Sequence, residues 1–165
     1  MFNNKIIYNL LNIMSKENSK NIRLNSQYLK DLSFENPNAP SSIPKIANNP
    51  NITFNIDVKA GKVSEDYYEV NLNINAKAVE GDKPESVIFL VELNYAALFN
   101  IVNLTEEELK KALLIDCPTL IFPFARRIIA DCTKDGGFPP LLMEPVDFAA
   151  IIAQQNQASA GQTKQ

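Results

Sequence analysis

A chain of 165 residues with 45% apolar and 21% charged side chains has the length and composition of one domain with a true core. Its net charge of −3, with Arg126 and Arg127 as the only adjacent arginines, argues against nucleic acid, whose phosphates require clustered Lys and Arg. Histidine is absent, which removes the commonest general base and the commonest metal ligand together.

The remaining chemistry is equally sparse. Cys117 and Cys132 are too far apart for a CxxC pair and are expected to be reduced, structural thiols. The chain has no phosphate-binding glycine loop and no nucleophile elbow, both of which need fixed glycine spacings. No apolar run approaches the ~20 residues needed to span a bilayer. These features predict a soluble binding protein that is not an enzyme and holds no metal.

In chain order, Met1 to Lys20 combines Asn and Lys with an apolar stretch from Ile6 to Leu11. Broken by Asn9 and Asn12 and followed by no small-residue cleavage site, it makes a poor signal peptide. Two readings stand. Residues 1–13 are an upstream extension from start-site assignment, with Met14 as the start, or they form a short amphipathic helix. Residues 1–21 are in either case expected to be a flexible extension.

Ile22 to Glu35 alternates loosely and predicts a strand. Residues 36–44 contain Pro37, Pro40 and Pro44, which impose extended geometry and remove backbone donors. This segment is expected to cross the outside of a sheet, with Ile43 and Ile46 as its apolar contacts. Strict alternation then marks strands over Ile52 to Val58 and Tyr68 to Ala78. The second sets Val70, Leu72, Ile74 and Ala76 against Asn71, Asn73 and Asn75, giving a sheet with one wet face. Glu80 to Pro84 is a turn. Ser86 to Phe99 is apolar on both parities and is expected to be covered on both sides or to meet another subunit.

The rest predicts helices. Thr105 with Glu108 forms a capping box that opens a short helix to Ile115. A second helix runs from about Pro118 to Lys134, with Leu120, Phe124, Ile128 and Cys132 on one face, widened by Ile121 and Ile129. Gly136-Gly137 stops it, Gly137 to Pro140 forms a rigid connector, and Asp147 caps a last helix through Phe148, Ile151 and Ile152. The tail, residues 154–165, has a disordered composition. Four strands followed by helices predict an α+β domain with an antiparallel sheet.

Three long runs carry a family resemblance. Tyr28-Leu-Lys-Asp-Leu-Ser-Phe-Glu-Asn-Pro-Asn-Ala-Pro40, Cys117-Pro-Thr-Leu-Ile-Phe-Pro-Phe-Ala-Arg-Arg-Ile-Ile-Ala-Asp131 and Gly136-Gly-Phe-Pro-Pro-Leu-Leu-Met-Glu-Pro-Val-Asp-Phe148 resemble signatures of the protein-export chaperone family SecB. The likeness spans Tyr28 to Ile152 and implies a chaperone domain over residues 22–153. It further implies a cytoplasmic homotetramer, a dimer of dimers, with no cofactor. Such a protein holds unfolded secretory precursors and delivers them to the SecA translocation ATPase, whose C-terminal tail carries the zinc.

By the same likeness, Asp31, Glu35, Leu90 and Glu92 stand at the SecA-docking positions. A client groove would be lined by Ile43, Ile46, Ile52, Phe54, Ile56, Phe148, Ile151 and Ile152, of which about half are expected to be core. The long helix, through Leu120, Phe124 and Ile128, would join subunits. Parity groups Asp31 with Glu35 and Leu90 with Glu92 but leaves open whether the two sets share a face. The competing reading is a small carrier domain enclosing an apolar ligand.

Overall fold

Four strands, β1 (Asn21–Glu35), β2 (Asn51–Ser64), β3 (Tyr67–Val79) and β4 (Val87–Val102), form one antiparallel sheet in the order β1-β4-β3-β2. They are seen in a computed structural model that describes residues 19–47 and 50–154. The readings placed on residues 1–18, the Met14 start among them, and on the tail after Gln154 lie outside the described residues.

Alternation along β3 buries Val70, Leu72, Ile74, Ala76 and Ala78 completely. Register sets them opposite Ala97, Tyr95, Leu93, Val91 and Phe89 of β4, and together they form the core face. Burying each large side chain there contributes about 1.5–3 kcal/mol. The other face of β4 is covered only in places. Ile88 and Ala96 are buried, while Glu92 is exposed and Leu90 and Asn94 are half-buried. Expected coverage on both sides is therefore half met.

β2 continues to Ser64, beyond the predicted end at Val58. Lys59, Gly61 and Lys62 break the apolar pattern but keep pairing with β3. An edge strand turned to solvent needs backbone pairing, not an apolar face, to persist. β1 carries irregularities between Leu24 and Ser26 and between Leu29 and Asp31. Each extra residue flips the parity, which explains the loose alternation.

The link from β1 to β2 passes from one edge of the sheet to the other. It is not extended, as predicted, but a run of turns over residues 37–42 ending in a 3-10 helix, Ile43–Ala47. The φ that proline fixes suits turns and 3-10 geometry as well as extended chain. Asn38 Nδ2 donates to the Val87 carbonyl at 2.9 Å and Lys45 pairs with Glu80 at 3.0 Å. The link thus closes the end of the sheet where β3 turns into β4.

The capping box is present: the Glu108 amide donates to Thr105 Oγ1, and the Thr105 amide to Glu108. From it α1 (Glu106–Lys111) runs through a π turn (Ala112–Asp116) into α2 (Cys117–Asp135). Two separate helices were expected; the helical path is continuous. The Cys117 amide reaches back to the Ala112 carbonyl, and the widened turn makes room for Pro118, which has no N–H and a bulky ring.

At its far end α2 stops in a Schellman motif. Gly137 has φ +88°, its amide donates to Lys134, and the Phe138 amide donates to Thr133; only glycine adopts that backbone without strain. A connector then leads to α3 (residues 148–154), where Asp147 Oδ1 accepts from the Ala150 amide at 3.0 Å. The core lies between the sheet and α2, sealed by Phe138, Met143 and Phe148.

Candidate partner-binding surfaces

The uncovered face of the sheet is polar because every second residue of β3 there is Asn, Glu or Lys. Register now joins the two acidic sets: Asp31 lies opposite Asn94, Ser33 opposite Glu92 and Glu35 opposite Leu90. All four family positions share this face. Asp31, Asn73, Asn75, Glu92, Leu93 and Asn94 line a depression of about 200 Å³. Asn94 Oδ1 is buried there with no hydrogen-bond partner.

The carboxylates on this face differ in what they already hold. Tyr28 lies opposite Ala96 on β4, and Ala96 lies opposite Asn71 on β3. Over the small Ala96 side chain the Tyr28 hydroxyl donates to Glu69 at 2.5 Å, joined by Lys30 at 2.9 Å and Asn71 at 2.8 Å. These donors, Tyr28 first, hold the Glu69 carboxyl down to about 2, and the same bond pushes the Tyr28 phenol up to about 12. Asp31, Glu35 and Glu92 are exposed and pair with no Lys or Arg among the described residues.

The predicted client set is divided. Phe148 is 2% exposed, edge-on to Phe122 with ring centres 5.9 Å apart, so it anchors α3 in the core. Ile46, Ile52, Ile56 and Ile151 are half-buried against the core, and Ile152 is half-buried. Phe54 (45%) and Ile43 (40%) are exposed. A depression of about 360 Å³ is walled by Phe54 and Ile56 on one side and by Leu142, Met143, Glu144, Pro145 and Val146 on the other. Its second wall is thus the connector after α2, and the Pro-rich link, with Ile43 near Gly137, lies elsewhere. Leu142, 72% exposed, is the residue that the sequence reading missed. Its signal was the apolar run Leu141-Leu142-Met143 between prolines.

Helix α2 carries two apolar stripes where one was predicted. Pro118, Ile121, Phe122, Ala125, Ile129 and Thr133 face the sheet and are buried. Leu120 (54%) and Phe124 (41%) are exposed on the outer side, with Ile128 and Cys132 half-buried. Arg127 pairs with Asp131 at 2.8 Å on the surface. Both cysteines are free. Burial pushes the Cys117 thiol up to about 12 and raises that of Cys132, which suppresses the reactive thiolate. Among the described residues no group of His, Cys, Asp or Glu is arranged to hold a metal, and no helix is long and apolar enough to cross a membrane.

Comparison with known proteins matches residues 15–159 to the family described as preprotein translocase subunit SecB. The protein-export protein SecB of Parvibaculum lavamentivorans is 50% identical over 136 residues, covering 82% of this chain and 79% of that protein. The protein-export protein SecB of Maricaulis maris is 51% identical over 134 residues, covering 81% and 76%. Among solved structures, a SecB-like chaperone of Mycobacterium tuberculosis, in complex with a peptide from an antitoxin, superposes with a TM-score of 0.64. At 18% identity it covers 76% of this chain and 90% of its own, a likeness of fold.

Proposed function

This chain belongs to the SecB family, and from that membership we propose how its surfaces divide the work of a protein-export chaperone. The apolar depression between β2 and the connector takes unfolded precursor chains. The acidic sheet face takes the tail of SecA, and any zinc there belongs to that partner. The outer stripe of α2 joins subunits into a tetramer, a dimer of dimers, acting in the cytoplasm. Residues 22–153 form the chaperone domain.

The observation that carries the partner assignment is the selective pairing of carboxylates on one face. Glu69 is held by Tyr28 and Lys30, while Asp31 and Glu92 stand open around the orphaned Asn94 oxygen and Glu35 lies open further along β1, opposite Leu90. A basic, extended segment supplies the missing donors as charge-assisted hydrogen bonds. The interaction weakens with salt, because exposed charges are screened.

Client binding follows a different balance. Burying one Leu or Phe side chain gains about 1.5–3 kcal/mol, and ordering each client residue costs about 1–2 kcal/mol. One depression therefore binds weakly. Several on one assembly hold a long chain through effective concentration and release it without nucleotide hydrolysis.

The test is the pair Asp31→Lys with Glu92→Lys, in which SecA-tail binding is expected to fall by at least about tenfold. The delay the chaperone imposes on refolding of a precursor is expected to persist. Equal loss of both activities, with the fold intact, would overturn the division of surfaces.

A further inference from the structure

We propose that Tyr28 and Lys30 decide where along the acidic face a basic segment seats, by withdrawing the Glu69 carboxylate from recognition. The inference rests on the reading of that face as the SecA-tail surface and adds what sets its register. Glu69 stands on β3 opposite Leu98, four residues along β4 from Asn94, or about 13 Å at the rise of a strand. An extended basic segment offers the sheet every second side chain, about 7 Å apart. Left open, Glu69 would give such a segment a second seat, shifted by four residues from the one at Asp31 and Glu92.

The local geometry closes that seat. The Tyr28 hydroxyl donates to Oε1 of Glu69, and Lys30 and Asn71 donate to Oε2. Both carboxylate oxygens are engaged before a partner arrives, and Lys30 balances the charge. Lys30 is brought there by the irregularity between Leu29 and Asp31. It is the extra residue of a bulge, so it and Asp31 serve the same face although they are neighbours in sequence. One bulge thereby sets a masking lysine beside an open carboxylate. Asp57 of β2, opposite Asn73, has Lys59 at 3.8 Å. Among the described residues, the carboxylates that this face leaves without a cation are therefore Asp31, Glu35 and Glu92, all on β1 and β4.

Side-chain amide spectra of the full chain, recorded with and without the SecA tail, test this. In the unchanged chain the tail is expected to shift the Asn94 amide and not that of Asn71. With Tyr28→Phe and Lys30→Met the tail's footprint is expected to spread to Asn71, and the affinity to rise about two- to fivefold. Lys30→Met alone is expected to act in the same direction, less strongly. Lys134→Met removes the same charge at the far end of α2 and is expected to leave the footprint where it was. A footprint that reaches Asn71 in the unchanged chain, stays in place when Tyr28 and Lys30 are replaced, or moves equally with Lys134→Met would overturn the proposal and leave the docking face standing. Undiminished binding of the tail to Asp31→Lys with Glu92→Lys would overturn the reading of the face, and the proposal with it.

Discussion

Thr133 sits fully buried in the last turn of α2, where an apolar residue would suit the stripe. Its hydroxyl donates to the Ile129 and Ala130 carbonyls and accepts from the Leu141 amide at 2.9 Å. The helix and the connector that walls the apolar depression are thereby tied at one atom. Thr133→Val keeps the shape but leaves the Leu141 amide without its acceptor, and is expected to cost about 1–3 kcal/mol, read by denaturant unfolding. Tyr28 and Glu69 form a second single-residue tie, with a pH signature. Glu69 is held below its ordinary 4.5 at about 2, so its stabilisation is present above about pH 4.5 and lost as pH falls toward 2. Tyr28 is raised from 10.0 to about 12, so its share is lost as pH rises between those values. Tyr28→Phe is expected to move the midpoint of acid unfolding upward, because Glu69 loses the donor that most favours its charged form. It is also expected to flatten the alkaline limb. Circular dichroism across pH checks both.

Among the elements, α2 shows how a pattern read correctly is divided by packing. The sheet needs one ridge, and Ile121, Ala125 and Ile129 supply it. The breadth of the apolar surface leaves Leu120 and Phe124 facing outward, a contiguous exposed stripe of the kind that marks an interaction surface. Leu120→Asp with Phe124→Asp is expected to lower the sedimentation mass while the helical circular dichroism of the subunit remains. An unchanged mass would remove this stripe from the assembly interface. The glycine that ends α2 is a separate matter. At φ +88°, Gly137→Ala places an L residue in the left-handed region at about 1–2 kcal/mol, which a thermal melt would detect. The π turn before Pro118 was invisible in the pattern. It arises because Pro118, which has no N–H to continue the ladder, follows the end of the capped helix by seven residues, and only a three-dimensional path decides between breaking and widening.

For the whole molecule, the acidic face and the apolar depression lie on opposite sides of the sheet, since Asp31 and Glu92 share one face and Phe54 and Ile56 belong to the other. The proposed division would then let two partners be held at once, one by charge and one by apolar burial. Phe54→Asp with Leu142→Asp is expected to abolish most of the refolding delay and leave SecA-tail affinity unchanged. Raising salt from low to physiological levels is expected to do the reverse, because screening acts on the exposed carboxylates and leaves apolar contacts intact. Binding isotherms for both partners, in both backgrounds and at both salt levels, check the pair of predictions together.

The strands, the capped helices, the Gly136-Gly137 stop and the family signatures were all legible in the sequence, because each depends on neighbours within one or two turns of chain. So was the acidity of Asp31, Glu35 and Glu92. What only the tertiary structure decided is that these carboxylates share a face. Alternation tells which residues of one strand point together, but the phase between strands comes from their hydrogen-bonded register, and β1 shifts that phase at its irregularities. The second wall of the apolar depression was hidden for a related reason. Leu142 to Val146 have no periodicity of their own and reach β2 only because α2 turns the connector back across the sheet's edge. The lack of histidine and of glycine-spaced motifs is a local fact. The two surfaces proposed to do the binding are not local, because each is assembled from segments far apart in the chain.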